Sequence, residues 1–271
     1  MKIGLAAVTL LMAAAPAMAD ECRYVGDRRV ATSAAGVGIV EILAVAGSLN
    51  VVGVGGAEIR AHGRACSSEE ELIREMQLVL RRSGDRIIVE ARIPEWNRWG
   101  FGHHYARLDF TVEVPASMAV IIDDSSGSIE VDGVASVAID DGSGSIDVRR
   151  VAGAVSIRDG SGGIDVRDVG GPVRIRDGSG SIVVRQVRAD VVIEEDGSGS
   201  ITIAGVDGDV VIEEDGSGSI DVREVTGSVR VLDDGSGGIS VRDVGGDFEV
   251  RRDGSGGISF RDVRGRVTIP D

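Results

Sequence analysis

One hexapeptide dominates this chain. Asp-Gly-Ser-Gly-Ser/Gly-Ile begins at Asp141, Asp159, Asp177, Asp196, Asp215, Asp234 and Asp253, and a degenerate copy, Asp-Ser-Ser-Gly-Ser-Ile, begins at Asp124. Successive copies lie 17, 18, 18, 19, 19, 19 and 19 residues apart. Such a short fixed period restricts the chain to a stack of like units, each supported by its neighbours. Between copies the apolar residues fall in pairs two apart. From Asp141 they are Ile146 and Val148, then Val151, then Val155 and Ile157; from Asp215 they are Ile220 and Val222, then Val225, then Val229 and Val231. Period two is a strand with one face turned inward, and β-branched side chains suit that face. Each coil therefore holds two short strands. One turn is the Asp-Gly-Ser-Gly segment, and the other lies around Val-x-Gly, as in Val169-Gly170-Gly171.

The expected fold is all-β: a single-chain parallel β-helix (β-solenoid) with about 18–19 residues per coil, eight coils spanning residues 124–271. Parallel crossovers default to a right-handed winding. Coils stacked at about 4.8 Å make this section a rod of about 38 Å. A β-propeller, the competing repeat architecture, needs about 40 residues per blade, more than twice the period seen.

Residues 20–123 read as a degenerate solenoid and capping region. Gly47-Ser48-Leu49-Asn50-Val51 echoes the Gly-Ser-Ile-x-Val strand, which predicts further coils within 36–66. Ser68-Glu69-Glu70-Glu71 has the form of a capping box and predicts a helix of two or three turns carrying Leu72, Ile73 and Met76. Segments 77–80 and 86–93 read as a hairpin around Ser83-Gly84-Asp85. Strands at 110–114 and 118–122 lead into the repeats. Terminal repeats need a polar cap, and at the other end Pro270 blunts a strand edge.

The first 19 residues read as a secretory signal peptide: Lys2, an apolar stretch at 3–12, and Ala17-Met18-Ala19 as the small-x-small cleavage site. Cleavage would remove Lys2, the only lysine, and with it any lysine chemistry. Export to the periplasm or beyond places Cys22 and Cys66 in an oxidising compartment, where a disulfide between them is expected. The alternative is two free thiols. No later run of about 18 apolar residues is available to span a membrane. The net charge of −15 opposes nucleic-acid binding. With 42% hydrophobic residues the chain is too apolar for a disordered tail.

The tandem Asp-Gly-Ser-Gly-Ser-Ile-Asp-Val-Arg…Val…Gly…Val-x-Ile pattern, behind a signal peptide and a degenerate N-terminal module, resembles a bacterial family of exported β-strand-repeat proteins. That family is of unknown function, is called adhesin-like, and is similar to the head (GIN) domain of auto-transporter adhesins. The resemblance covers about 36–271. It implies a parallel β-solenoid in the cell envelope and brings no catalytic residues.

Three groups of side chains invite a functional role. The first is the aspartate ladder at the turns: Asp124, Asp141, Asp159, Asp177, Asp196, Asp215, Asp234 and Asp253. A calcium β-roll would need a ligand aspartate where this repeat has Ile146, Ile164, Ile182, Ile201, Ile220, Ile239 and Ile258. The expected role is structural, with each carboxylate accepting from the backbone two residues on as an Asx-turn. In water, neighbours about 5 Å apart repel by only about 1 kcal/mol. The second group is an arginine column, Arg149, Arg167, Arg185, Arg223, Arg242 and Arg261. It is flanked by Asp165, Asp168, Asp221, Glu224, Asp243 and Asp262, which predicts a self-neutralised face. The third is the candidate binding loop Trp96, Asn97, Arg98, Trp99, Phe101, His103, His104 and Tyr105, which suits either recognition or a lid over the end of the solenoid.

No metal site, cofactor or catalytic set is expected. His62, His103 and His104 lie outside the repeats and no serine sits in a nucleophile elbow. The expected function is a non-enzymatic exported structural or adhesin-like interaction protein. Its partner would be envelope polysaccharide or another envelope protein, and end-to-end self-association is open to it. A polysaccharide-active enzyme and a calcium-dependent module are the alternatives.

Overall fold

The inward pairs of each coil stack on those of the next. In the computed structural model, which describes residues 22–94 and 105–270, Val148 pairs with Val166, Val166 with Val184, Val184 with Ile203, Ile203 with Val222, and Val222 with Val241. Like sits on like because the register is parallel and repeats residue for residue. Among the described residues the strands form two sheets of twelve strands each, the two strands of each coil going one to each sheet. Ile146, Val148, Val151, Val155 and Ile157 are all buried, as are their equivalents up to Val250. The core is thus a set of aliphatic columns with little aromatic filling; among the described residues Phe110 and Phe248 are the buried aromatics. On the last described coil Ile258, Val263 and Val267 are only half-buried, and Phe260 and Ile269 are exposed.

Glycine at the fourth turn position is a steric requirement. Gly144, Gly162, Gly180, Gly199, Gly218, Gly237 and Gly256 all have φ between +142° and +151°, and a Cβ on any of them would collide with the glycine carbonyl of the preceding coil. Only glycine lets the backbones approach at this point.

The coil length changes for a local reason. In the 18-residue coils Val173, Ile175 and Asp177 alternate strictly inward. At the next coil the pairing slips between Ile175 and Arg176, so that Arg176 faces Glu195 and Glu194 is the extra residue. That is a β-bulge. In the following coils regular pairing in this sheet stops at Ile212, Val231 and Val250. The aspartates beyond meet only through isolated bridges, Asp196 to Asp215, Asp215 to Asp234 and Asp234 to Asp253.

The N-terminal region departs from the expected simple run of coils. Its elements are β1 (Tyr24–Ser33), β2 (Ile39–Leu43), β3 (Leu49–Val54), β4 (Glu58–Ser67), α1 (Glu70–Glu75), β5 (Gln77–Ser83), β6 (Arg86–Arg92), β7 (Ala106–Pro115), β8 (Ala119–Asp124) and β9 (Gly127–Asp132). The coil β2–β3 pairs in parallel with β8–β9, with Leu49 on Ile129 and Val51 on Val131, so the Gly47–Val51 echo is in register. On the other side of β2–β3, however, lies β6–β7, also parallel. The spatial order of these coils is therefore not the chain order. The chain lays one coil, leaves it, adds a second beneath it, and then crosses the first to begin the repeats.

The end of the stack is antiparallel. β1 and β4 extend one sheet beyond β7, and β5 extends the other beyond β6. Part of 36–66 is thus a capping strand rather than a coil. The helix is six residues long, shorter than expected, and its N-cap Glu69 makes no side-chain cap hydrogen bond. Ser68, which suggested a capping box, and its neighbour Ser67 are engaged elsewhere. The Ser67 hydroxyl accepts from the Glu69 amide at 3.0 Å, and the Ser68 hydroxyl accepts from the Tyr105 amide at 3.2 Å. Leu72 and Met76 are buried in the cap. Cys22 and Cys66 form a disulfide, Cα atoms 5.3 Å apart, pinning the start of β1 to the buried end of β4.

Candidate functional site

The arginine column lies along one sheet and is paired with acids across coils. Arg167 meets Asp147 at 3.2 Å and Arg185 meets Asp165 at 3.1 Å; Arg223 and Arg242 both meet Asp221 at 3.5 Å. Arg149 is the best enclosed. It pairs with Asp132 at 2.9 Å, with Asp147 at 3.7 Å and with Glu130. Arg149, Arg167, Arg185 and Arg242 thus bridge two rungs and stitch the coils, while Arg223 pairs within its own coil; together they neutralise this face. Arg261 reaches only Asp262, at 3.9 Å.

A feature not foreseen from the sequence sits next to this column. Arg150, Asp168, Gln186, Glu224, Asp243 and Asp262 all have φ between +53° and +58°, and Gly133 and Gly205 take the same place in their coils with φ of +75° and +71°. The cause is spacing. Val148 and Val151 both point inward although they are three residues apart, so one residue must leave the strand conformation, and a single left-handed residue achieves this. The signal was available: inward positions three apart, with glycine at that place in two coils. Non-glycine residues there carry backbone strain of order 1 kcal/mol or more each.

These residues border a shallow trough along one edge of the solenoid. One section of about 610 Å³ is lined by Arg150, Asp168, Gln186, Arg188, Asp207 and Glu224, among others. It continues past Glu224 as a second section of about 440 Å³ bordered by Asp243, Asp262 and Arg264. The trough carries charged and polar side chains and is periodic at the coil spacing. Its charges are mixed near Arg150 and Arg188 and mainly acidic beyond Glu224. Asp168, Glu224, Asp243 and Asp262, expected as partners of the arginines, prove to be members of this column. Of these, only Glu224 and Asp262 reach the ion-pair limit, with Arg223 and Arg261.

The aspartate ladder occupies the opposite turn, and it points inward. Asp124, Asp141, Asp159, Asp177, Asp196, Asp215 and Asp234 are all buried, and only Asp253 is half-buried. The weak repulsion expected of carboxylates in water does not apply to this setting. In the 18-residue coils the Asx-turn geometry is present: the amides of Ser143, Ser161 and Ser179 donate to Asp141, Asp159 and Asp177 at 3.3, 3.2 and 3.1 Å. Asp124 accepts instead from the next residue, Ser125, at 2.8 Å. Beyond the bulge this bond is gone, and neither oxygen of Asp196, Asp215 or Asp234 has a hydrogen-bond partner. The Ser198 and Ser217 amides still act on Asp196 and Asp215, but from outside hydrogen-bonding geometry. Burial pushes Asp159, Asp177 and Asp196 up to about 6. Burial, joined by Asp141, does the same for Asp124, and burial with Asp196 and Asp234 pushes Asp215 up to about 7.

Of the candidate binding loop, Trp96, Asn97, Arg98, Trp99, Phe101, His103 and His104 lie outside the described residues. Tyr105 lies inside them. Its hydroxyl accepts from the Arg23 amide at 3.1 Å, and its backbone pairs with Ser68, which ties the loop's end to the disulfide end of the cap. Among the described residues no three His, Cys, Asp or Glu side chains converge as a metal site, and no helix is long and apolar enough to cross a membrane.

No family model and no curated protein matches this chain. Solved structures to which it is similar include a candidate adhesin from Bacteroides fragilis, 11% identical, TM-score 0.45, covering 92% of this chain and 98% of that one. A candidate adhesin from Parabacteroides merdae is 10% identical with a TM-score of 0.41, covering 92% and 97%. A candidate cell adhesion protein from Clostridium sporogenes is 11% identical with a TM-score of 0.32, covering 91% and 99%. At these identities and scores the likeness carries no argument about function.

Proposed function

We propose that this chain is an exported, non-enzymatic rod of the bacterial cell envelope that acts as an adhesin-like interaction module. The observation that supports this is the edge trough. A left-handed residue recurs in every coil from Gly133 to Asp262, and the side chains it carries vary while the backbone does not. A fixed scaffold with exchangeable side chains at a regular spacing suits recognition of an extended, repetitive partner such as an envelope polysaccharide or another envelope protein. The disulfide fits export, since such bonds persist in oxidising compartments. Residues 1–19 would be the signal peptide. The loop Trp96–Tyr105 is the second candidate contact surface. End-to-end association would use the last coil, where Phe260 and Ile269 are exposed. The relation to the GIN head domain belongs to the same proposal.

The test is retention of envelope material, including polysaccharide, by the mature chain and two variants. Arg150→Gly/Gln186→Gly/Glu224→Gly strips the trough of side chains at positions where glycine is favoured, so the fold is kept. Trp96→Ala/Trp99→Ala removes the loop aromatics. A ligand held by the parent and lost by the trough variant supports the trough; one lost only by the loop variant moves the site to the loop. Hydrolysis of a retained polysaccharide by the parent overturns the non-enzymatic assignment.

A further inference from the structure

The aspartate ladder is two structures joined at the bulge. Before it, each carboxylate is anchored by the amide two residues on. After it, Asp196, Asp215 and Asp234 are at most 1% exposed and have no hydrogen-bond partner at either oxygen. Their backbones are bridged rung to rung. A row of buried, unpartnered carboxylates at strand spacing of about 4.8 Å is untenable if every member is ionised. Something must neutralise it.

The surroundings narrow the choice. The groups acting on these carboxylates are each other, Asp253 and the outward-facing Asp233, together with the Ser198 and Ser217 amides. Ile201, Ile220 and Ile239, on the strands of the other sheet in the same coils, are all buried and carry no charge. Glu195, Glu214 and Arg252 hold the outward positions beside the ladder, and Arg252 turns to Asp233. No arginine reaches inward, and no third acid converges on any pair to complete a metal shell among the described residues. The Asp215 and Asp234 side chains do reach one another, and so do those of Asp234 and Asp253.

We propose that Asp196, Asp215 and Asp234 take up protons on folding, Asp196 held as the neutral acid and a carboxylic acid O–H shared between Asp215 and Asp234 on neighbouring coils, so that this half of the rod takes protons into its interior. Each proton comes from solvent as the segment folds and returns when it opens. The acid–carboxylate bond is the strong, charge-assisted kind, and between Asp215 and Asp234 it needs no further ligand. Burial raises the protonation range of all three carboxyls, with the neighbouring carboxylates adding to this for Asp215 and Asp234. The folded state thus binds more protons than the unfolded chain. The stabilisation is present in mild acid and is lost as pH rises through the folded range.

The experiment compares the full mature chain with Asp196→Asn/Asp215→Asn/Asp234→Asn, and with Asp215→Asn alone should the triple variant fail to fold. Infrared spectra at about pH 6 report protonated carboxyl directly, and urea unfolding from about pH 5 to 8 reports proton uptake. The unfolding constant of the parent should rise about tenfold per pH unit for each proton held. The triple variant should lose a distinct part of the protonated-carboxyl band, the rest belonging to Asp124, Asp159 and Asp177, and at least one tenfold step of that slope; the single variant should lose a smaller part of both. An unchanged band and slope in a folded variant overturns the proposal. So does a parent that calcium, magnesium or sodium stabilises at pH 8 while the triple variant does not respond, since cations would then fill the ladder.

Discussion

Gly199→Ala is the sharpest test of how this solenoid is held together. Gly199 has φ +146°, and an added Cβ would lie less than half the ordinary C···O separation of about 3.3 Å from the Gly180 carbonyl oxygen. The obstacle is backbone on both sides, so no side chain can swing away. The coils must part locally. That breaks the bonds across the same pair of coils, from the Gly180 amide to the Ser198 carbonyl at 2.8 Å and from the Gly197 amide to the Asp177 carbonyl at 3.1 Å. Each broken bond costs about 1–3 kcal/mol when its partners stay buried, and the backbone strain adds a similar amount. The expected loss is at least about 3 kcal/mol, a large share of the 5–15 kcal/mol typical of a folded domain. Urea denaturation followed by circular dichroism measures it. Hydrogen exchange should show opening centred on the turns at 178–180 and 197–199, with the cap unaffected. A variant whose denaturation midpoint matches the parent's would refute the close-approach argument for the whole glycine column.

Gly163→Ser is the matched control. Nothing lies within 4 Å of the added Cβ and other coils carry serine there, so a gain of up to about 1 kcal/mol is expected from the same denaturation assay. Gln186→Gly should stabilise by about 1 kcal/mol, because it relieves a left-handed residue at φ +57°, and Gly205→Val in the same column should destabilise by at least as much. Paired Cys22→Ser/Cys66→Ser removes a crosslink across 44 residues and should cost about 2–4 kcal/mol; exchange protection should fall in β1 and β4 and hold in the repeats. Arg149→Met leaves the buried Asp132 with only Arg150 as an ionic partner and should cost about 1 kcal/mol at low salt. A double-mutant cycle with Asp132→Asn would read how much of that is the pair.

Local chemistry was legible because the repeats keep it local. Pairs of Val and Ile two apart, a fixed glycine turn and an unbroken period leave one solution, and it can be read from a single coil. The Arg–Asp face follows from the same register. The left-handed column was legible too, in the spacing of Val148 and Val151 and in Gly133 and Gly205, but a strand pattern alone passes over it. The ladder's division was half visible. The period changes from 18 to 19 at Asp196, yet only the pairing of Arg176 with Glu195 places the extra residue at Glu194. The loss of the Asx bond beyond that point is a matter of side-chain direction.

The period, the two strands per coil and the inward columns belong to the sequence by itself, because neighbours in the fold are also near neighbours in the repeat. The cap belongs to the tertiary structure. The chain order β2–β3 then β6–β7 gives no hint that the later coil lies beneath the earlier one, since both carry the same inward pattern and either would stack on the other. Packing decided it: β1, β4 and β5 needed a parallel coil whose outer edges they could close antiparallel, and Cys22 had to reach Cys66. Burial of the aspartates was decided there as well, because the stacking of coil on coil removes them from water: Asp253, on the last described coil, is only half-buried.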